Sequence, residues 1–321
     1  MEVILRSFCY RTLMVRCARK YNSFNKILTS DQVEQYREEG YTVVKNLLSE
    51  EELKQTRVAL DELKERSIKS FQAGEKSDIY EVERGADGKQ ILNRIRFPCE
   101  LHETFYNLQR HDKILDCVED LIGPSFRYIA QDKLNLKPAC TGAAVRWHQD
   151  WAFFPHTNDS VLTASILLHD TTRSNGCLQI VPGTHKGPIL SHYFNNTFAN
   201  VITDKKFKPN NLVYLEAPAG SLTLHNARVV HGSAKNTSNQ PRSTLCFVFT
   251  AMDAWPLLGV GGRDFMNSGP VDYDLFTATL LRGNSCFTPR MENIPVSLPI
   301  PFHATSSVFK IEFETADEPA P

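Results

Sequence analysis

Apolar positions change their rhythm near residue 125. Before it they recur at helical spacing, and after it they come in short runs cut by turn residues. Residues 29–66 read as helix, strand, helix. Ser30 or Asp31 is placed to cap a first helix that stops before Gly40, a natural left-handed terminus. The stretch "YTVVKNLL" that follows has the β-branched content of a short strand. Ser49 with Glu52 three residues on is a capping box, opening a helix with Leu53, Leu60 and Leu63 on or near one face. A third helix is predicted near 112–122 from Ile114, Leu115, Val118 and Leu121, with Gly123 as its stop. Beyond 125 the apolar runs are "FRYIA", "KLNLK", "VLTASILL", "CLQIV", "NLVYLEA", "SLTLH" and "TLCFVFT". Pro138, Asn175-Gly176, Pro182-Gly183, Pro218 with Gly220, and Pro241 separate them. Many short strands with no helix-length pattern between them predict an all-β sandwich or barrel behind a helical N-terminal part.

Composition narrows the picture. At 321 residues the chain suits one large β domain with additions. With 36 basic and 37 acidic side chains it gives no electrostatic case for nucleic acid or a membrane surface. No run of about 18 apolar residues is present to span a bilayer. Eight scattered cysteines without a C-x-x-C pair argue against a zinc ribbon or a disulfide framework. The first twenty residues carry Arg6, Arg11, Arg16, Arg19 and Lys20 against one acid, Glu2. Spaced bases between apolar residues resemble a mitochondrial presequence; the alternative is a basic N-terminus of a cytoplasmic protein. The expected organisation is a basic segment at 1–25, one domain over 26–312 and an acidic tail at 313–321. Within the domain, 26–124 is helical, 125–255 the β core and 256–312 an extension.

"RWHQDWAFFP" (146–155) raises the chemical question, because it sets His148 and Asp150 among rings. A buried carboxylate is costly unless something binds it. At i and i+2 on a strand the two side chains leave by the same face and can converge on one divalent metal. Downstream, His156, His169, His185, His192, His225, His231 and His303 compete to be the third ligand. His231 is preferred because it ends a β-type run in "RVVHGS", with Arg242 eleven residues later. Two histidines and a carboxylate leave adjacent positions open on iron(II), the arrangement of non-haem oxygenases. A guanidinium such as Arg242 grips the free carboxylate of 2-oxoglutarate with two parallel hydrogen bonds. Arg242 opens "RSTLCFVFT", expected to pair beside the His231 strand, and Ser233 lies on the histidine's side to add a further donor. For His148 and Asp150 alone, the plain alternative is an ion pair or a buried His–Asp hydrogen bond.

His148-x-Asp150, "SNGCLQIVPGTHKG" (174–187), His231-Gly-Ser233 and Arg242, taken in order, resemble the phytanoyl-CoA dioxygenase (PhyH) family. The resemblance runs from the helix near 30 to about 255. It implies a double-stranded β-helix and an Fe(II)- and 2-oxoglutarate-dependent dioxygenase that hydroxylates a small organic substrate. O2 and 2-oxoglutarate would become succinate and CO2. It further implies His148, Asp150 and His231 as metal ligands, and Arg242 with Ser233 as the 2-oxoglutarate clamp. Lys133 falls where family members contribute a 2-oxoglutarate or active-site contact, and Arg94 or Arg96 where they place an upstream base. Trp151, directly after the metal acid, is the ring expected to reach the pocket, and His185 and Lys186 are read as loop structure. Halogenation would need a small residue in place of Asp150. The alternative from another class is a non-catalytic metal- or ligand-sensing barrel. No protein partner is evident.

Overall fold

The computed structural model describes residues 25–75, 77–84, 90–194, 197–258 and 273–296. The basic N-terminal segment, His303 and the acidic tail lie outside them.

The chain begins with α1 (Ser30–Glu39), β1 (Tyr41–Val44) and α2 (Glu50–Gln72). A hairpin follows, β2 (Tyr80–Arg84) and β3 (Gln90–Arg96), then α3 (Pro98–Leu101), α4 (Glu103–Gln109) and α5 (Asp112–Ile122). The β core comprises β4 (Phe126–Lys137), β5 (Val145–His148), β6 (Val161–Leu167) and β7 (Leu178–Val181). After these come the short β8 (Tyr193–Phe194), β9 (Thr197–Phe198) and β10 (Val213–Tyr214), then β11 (Leu222–Asn226), β12 (Val230–Ser233) and β13 (Arg242–Ala251). α6 (Tyr273–Ala278) and β14 (Leu280–Arg282) end the described chain's regular elements.

Two antiparallel sheets form the core. The larger runs β1-β11-β6-β13-β4-β3-β2, with β14 also on β4; the smaller runs β10-β7-β12-β5. This is the jelly-roll, double-stranded β-helix expected from the sequence. The outer face of the large sheet is apolar, because Leu134, Leu136, Leu245, Phe247 and Phe249 alternate with polar residues along their strands. Leu60, Leu63, Phe105, Ile114 and Val118 of the helices cover it. The inner face is left to Lys133, Asn135 and Lys137 on β4 and to Arg242, Thr244 and Cys246 on β13. Polar residues therefore fill the inside, which is what a site needs and a core does not.

Several expectations shift. Thr29, not Ser30 or Asp31, caps α1: its hydroxyl accepts Gln32 N at 3.2 Å and Gln32 returns the bond at 2.9 Å. Thr29 is still extended while Ser30 is already helical, so only Thr29 can turn its side chain back. Gly40 ends α1 at φ 87 as anticipated, and a Cβ there would stand 2.6 Å from His185 Nδ1. "FRYIA" and "KLNLK" fuse into one twelve-residue strand, since Gln131 and Asp132 keep the alternation going. The hairpin β2–β3 and helices α3 and α4 were not foreseen. On β3, Arg94 and Arg96 face inward around a buried Ile95, which inverts the usual pattern.

Arg242's strand does not lie beside that of His231. β13 pairs with β4 and β6 in the large sheet, and β12 with β7 and β5 in the small one. The connection 234–241 crosses between the sheets, held by Asn236, whose amide donates to Lys137 O at 3.0 Å and Gln240 O at 2.7 Å. Consecutive strands here change layers rather than neighbours.

Candidate metal centre and active site

β5 pairs with β12 so that His148 stands directly opposite His231, with ring centroids 4.1 Å apart. The register then slips, so that Ser233 faces Val145. β5 stops at His148, but Gln149 remains extended (φ −120, ψ 123) before a 3-10 turn over Asp150–Ala152. One extended residue is enough to bring Asp150 out on the same side as His148. Among the described residues, His148, Asp150 and His231 form a buried group whose donor atoms all lie within 4.8 Å of one another.

The hydrogen bonds around these three side chains fit a metal. His148 Nδ1 donates to Arg146 O at 2.8 Å, and His231 Nδ1 donates to Val229 O at 3.0 Å. Both Nε2 lone pairs are thereby left facing Asp150 Oδ1, at 3.6 and 3.7 Å. The other carboxylate oxygen, Oδ2, accepts from the Thr163 hydroxyl at 2.6 Å and from His225 Nε2 at 3.3 Å. Two Nε2 atoms and one free oxygen thus converge on a point, with their outer partners already satisfied. Burial lowers His231 well below the ordinary imidazole value, and His148 adds to this against the opposing Asp150. Burial raises Asp150, but the neighbouring His231, His148, His225 and Lys133 outweigh it and hold the carboxyl well below its usual range. A neutral imidazole and an ionised carboxylate are the forms a divalent metal takes.

A cavity of about 610 Å³ opens over the three donors, within the range of small-molecule sites. Ser233, Arg242, Lys133, Arg94 and Arg96 all line it. Arg242 is buried; it donates to Thr244 Oγ1 at 2.7 Å and to the Gly176 carbonyl. Burial pulls its guanidinium down to about 10, its Nε has no partner, and no acid among the described residues pairs with it. A buried guanidinium without an acid is a receptor for a carboxylate.

β4 separates the two lysines. Lys137, missed from the sequence, is the one opposite Arg242, while Lys133 stands four residues away along β4, opposite Cys246, where its charge acts on Asp150. Lys137 Nζ donates to Ala143 O at 2.8 Å, Ser233 O at 3.4 Å and the Ala234 carbonyl. It thereby ties the approach to β5 to the end of β12. Burial, then Arg242, pulls this amine down to about 6. Counting in twos from Lys133 through Asn135 would have found it. Of the two arginines left open, Arg94 is tied to Asn135 at 2.9 Å and Glu81 at 3.4 Å, whereas Arg96 lies over the Phe97 ring at 4.9 Å.

Trp151 does not reach the cavity. It is 1% exposed and packs with Ile129, Val161 and Val248, because a 3-10 turn rotates each residue by a third of a circle. Phe153, three after Asp150, returns to the metal side, and Phe153 and Phe154 line the cavity. The other histidines have different duties. His185 bonds Arg37 O at 3.0 Å, His192 accepts Gln149 N at 3.0 Å, and His169 accepts Ser243 N at 3.2 Å. His156 bonds Arg127 at 3.2 Å, and His225 supports Asp150.

The model of the family described as Phytanoyl-CoA dioxygenase (PhyH) matches residues 36–244, well over half of the chain. The chain belongs to the phytanoyl-CoA dioxygenase family. A Stutzerimonas stutzeri protein described as a probable alpha-ketoglutarate-dependent hypophosphite dioxygenase is 33% identical over 85% of this chain and 92% of its own length. An ectoine dioxygenase of Stutzerimonas stutzeri (strain A1501) is 27% identical, over 71% of this chain and 79% of that protein. Peroxisomal phytanoyl-CoA dioxygenase of Rattus norvegicus is 24% identical, over 73% and 72%. The epimerase SnoN, solved with Fe3+, alpha ketoglutarate and nogalamycin RO, shares the fold at a TM-score of 0.60 and 22% identity, over 82% of this chain and 95% of its own. This PhyH protein is an iron(II)- and 2-oxoglutarate-dependent dioxygenase, and the sensor alternative is set aside.

Proposed function

We propose that His148, Asp150 and His231 hold the iron, and that Arg242 with Ser233 grips the far carboxylate of 2-oxoglutarate. The observation that carries this is the pairing of two Nε2 atoms and one carboxylate oxygen, whose outer partners are satisfied, with an acid-free buried guanidinium in the same cavity. Iron(II) held there supplies the oxygen-activating chemistry by which O2 and 2-oxoglutarate become succinate and CO2 while a substrate C–H becomes C–OH. The protein's own residues prepare for that. Backbone carbonyls fix both ligand tautomers, Thr163 and His225 turn Asp150, and Phe153 with Phe154 keep water from the reacting face. Arg242 would fix one end of the cosubstrate and so direct its other end towards His148, Asp150 and His231.

Hypophosphite, ectoine and phytanoyl-CoA, named for three relatives, differ widely. Family membership therefore supports the cosubstrates rather than the target. The test is an anaerobic titration of the iron-loaded protein with 2-oxoglutarate, followed by oxygen and a metabolite panel with succinate as the readout. Binding of 2-oxoglutarate only with metal present, and succinate released in step with substrate, is the expected result. Metal-independent binding, or no succinate under any condition, overturns the proposal.

A further inference from the structure

The large sheet carries an electrostatic oddity at the metal end of the cavity. Arg96 on β3 and Lys133 on β4 are direct cross-strand partners. Both alternate with core residues, Ile95 and Leu134, so both side chains leave by the inner face, and both line the cavity. Like charges directly opposite on a sheet destabilise it. Neither forms an ion pair among the described residues, and the acid on which the Lys133 charge acts is Asp150.

The neighbouring charges do not relieve the pair. Arg94, one step along β3, is matched by Glu81 at 3.4 Å. Asp132 leaves on the other face of β4 and accepts Cys99 N at 2.9 Å. Asp150 is committed to the metal under the reading above. Arg242 and Lys137 stand four residues away along their strands, roughly 13 Å at the rise of a β-strand. The proposed 2-oxoglutarate clamp is thus elsewhere, and the Arg96–Lys133 pair is a second cationic station in the same cavity.

We infer that Arg96 and Lys133 bind an oxyanion of the primary substrate, so that the substrate is a small organic anion held with a C–H bond towards the metal. The inference rests on the dioxygenase reading and deepens it. The reaction stays balanced by the established cosubstrates: R–H, O2 and 2-oxoglutarate give R–OH, succinate and CO2. The oxyanion itself is unchanged; it fixes which carbon is presented. A carboxylate, phosphonate or sulfonate meets the same need, and Lys133, assigned to 2-oxoglutarate or to the active site by family resemblance, falls on the substrate side.

The test uses the full chain loaded with manganese(II) and 2-oxoglutarate, which does not turn over. Carboxylates, sulfonates and phosphonates of two to ten carbons are titrated beside their neutral amides, and binding is read by calorimetry and by thermal shift. At least one acid binds ten-fold or more tighter than its amide in the wild type. Lys133→Met and Arg96→Met each remove most of that preference while leaving 2-oxoglutarate affinity within about two-fold. With no anion present, Lys133→Met raises Tm by about 1 to 3 °C, because relief of like-charge repulsion needs no ligand. If no acid outbinds its amide across the panel, or if Lys133→Met weakens 2-oxoglutarate and not the acids, the inference is overturned. If the wild type takes up no 2-oxoglutarate with metal present, the dioxygenase assignment of the site fails instead, and the two failures are told apart.

Discussion

The two sheets contribute to the site in different ways. The small sheet brings the proposed metal donors, His148, Asp150 and His231, on short, interrupted elements: a four-residue β5, a 3-10 turn, and a β12 whose register slips after His231. The large sheet brings the cations on long strands, with Arg242 opening a ten-residue β13 that is buried throughout. Short irregular strands let three donors from different positions converge. Long regular ones space charges at fixed intervals from the metal. Convergence and spacing are separate demands, and the fold gives each its own sheet.

The largest effect is expected in the small sheet. His148→Ala, Asp150→Ala and His231→Ala should each abolish metal binding and succinate formation. The fold should survive, because the largest apolar cluster lies on the other face of the large sheet, under the helices. Metal titration with circular dichroism checks this, and wild-type turnover in any one variant removes that residue from the metal. On the large sheet, Arg242→Ala removes a charge-assisted bidentate contact to a desolvated carboxylate, worth about 2 to 5 kcal/mol. Apparent 2-oxoglutarate affinity should then fall by roughly 30- to 3,000-fold with metal affinity little changed. Arg242→Lys should recover only part, since it keeps the charge but not the fork. If metal binding fell as much as cosubstrate binding, the division between the sheets would not hold.

Lys137 sharpens the comparison because it belongs to both sheets. It sits on β4 yet holds carbonyls from both sides of the Val145–Ser233 end of the β5–β12 pairing. Lys137→Met leaves buried acceptors short of a donor, an expected cost of about 2 to 4 kcal/mol in stability. The 2-oxoglutarate KM should rise by about ten-fold, less than for Arg242→Ala, as the Ser233 end of β12 loosens. Chemical denaturation beside a KM-against-kcat comparison tests this. An unchanged denaturation midpoint would mean that the three carbonyls do not need the amine.

What was legible in the sequence follows the same division. That His148, Asp150, His231, Ser233 and Arg242 would share one cavity could be read because each lies in a short motif with a fixed gap. β4, β6, β11 and β13 of the large sheet could be read because Leu, Ile and Phe alternate along them. Lys137 and Thr163 were not singled out, since a lysine before a proline and a threonine inside "VLTASILL" look like a strand end and a β former. Their roles come from pairing, and register between distant strands is not written in local sequence. Trp151 was misplaced because it directly follows Asp150, and adjacency in the chain says nothing of direction once the 3-10 turn over Asp150–Ala152 rotates the next side chain away. The β2–β3 hairpin was missed because its inward face is charged.

Thr163 gives the smallest and most discriminating prediction. It lies on β6 of the large sheet, yet its hydroxyl donates at 2.6 Å to the Asp150 oxygen that does not face the other two donors. It therefore orients a ligand without touching the metal site itself. Thr163→Val keeps the shape and deletes only that donor, and His225 remains on the same oxygen at 3.3 Å. Loss of such an outer partner lowers metal affinity by about 10- to 100-fold. The same variant should bind 2-oxoglutarate normally once metal is saturating, because Arg242 and Ser233 are untouched. Thr163→Ser, which restores the hydroxyl, should return most of the affinity, whereas a purely structural role for the threonine methyl would leave serine as weak as valine. Metal titrations of the three proteins at one pH, followed by 2-oxoglutarate titration at saturating metal, separate these outcomes. If valine binds metal as well as threonine does, Asp150 is held by His225 and the chain's own turn, and the large sheet plays no part in shaping the metal site.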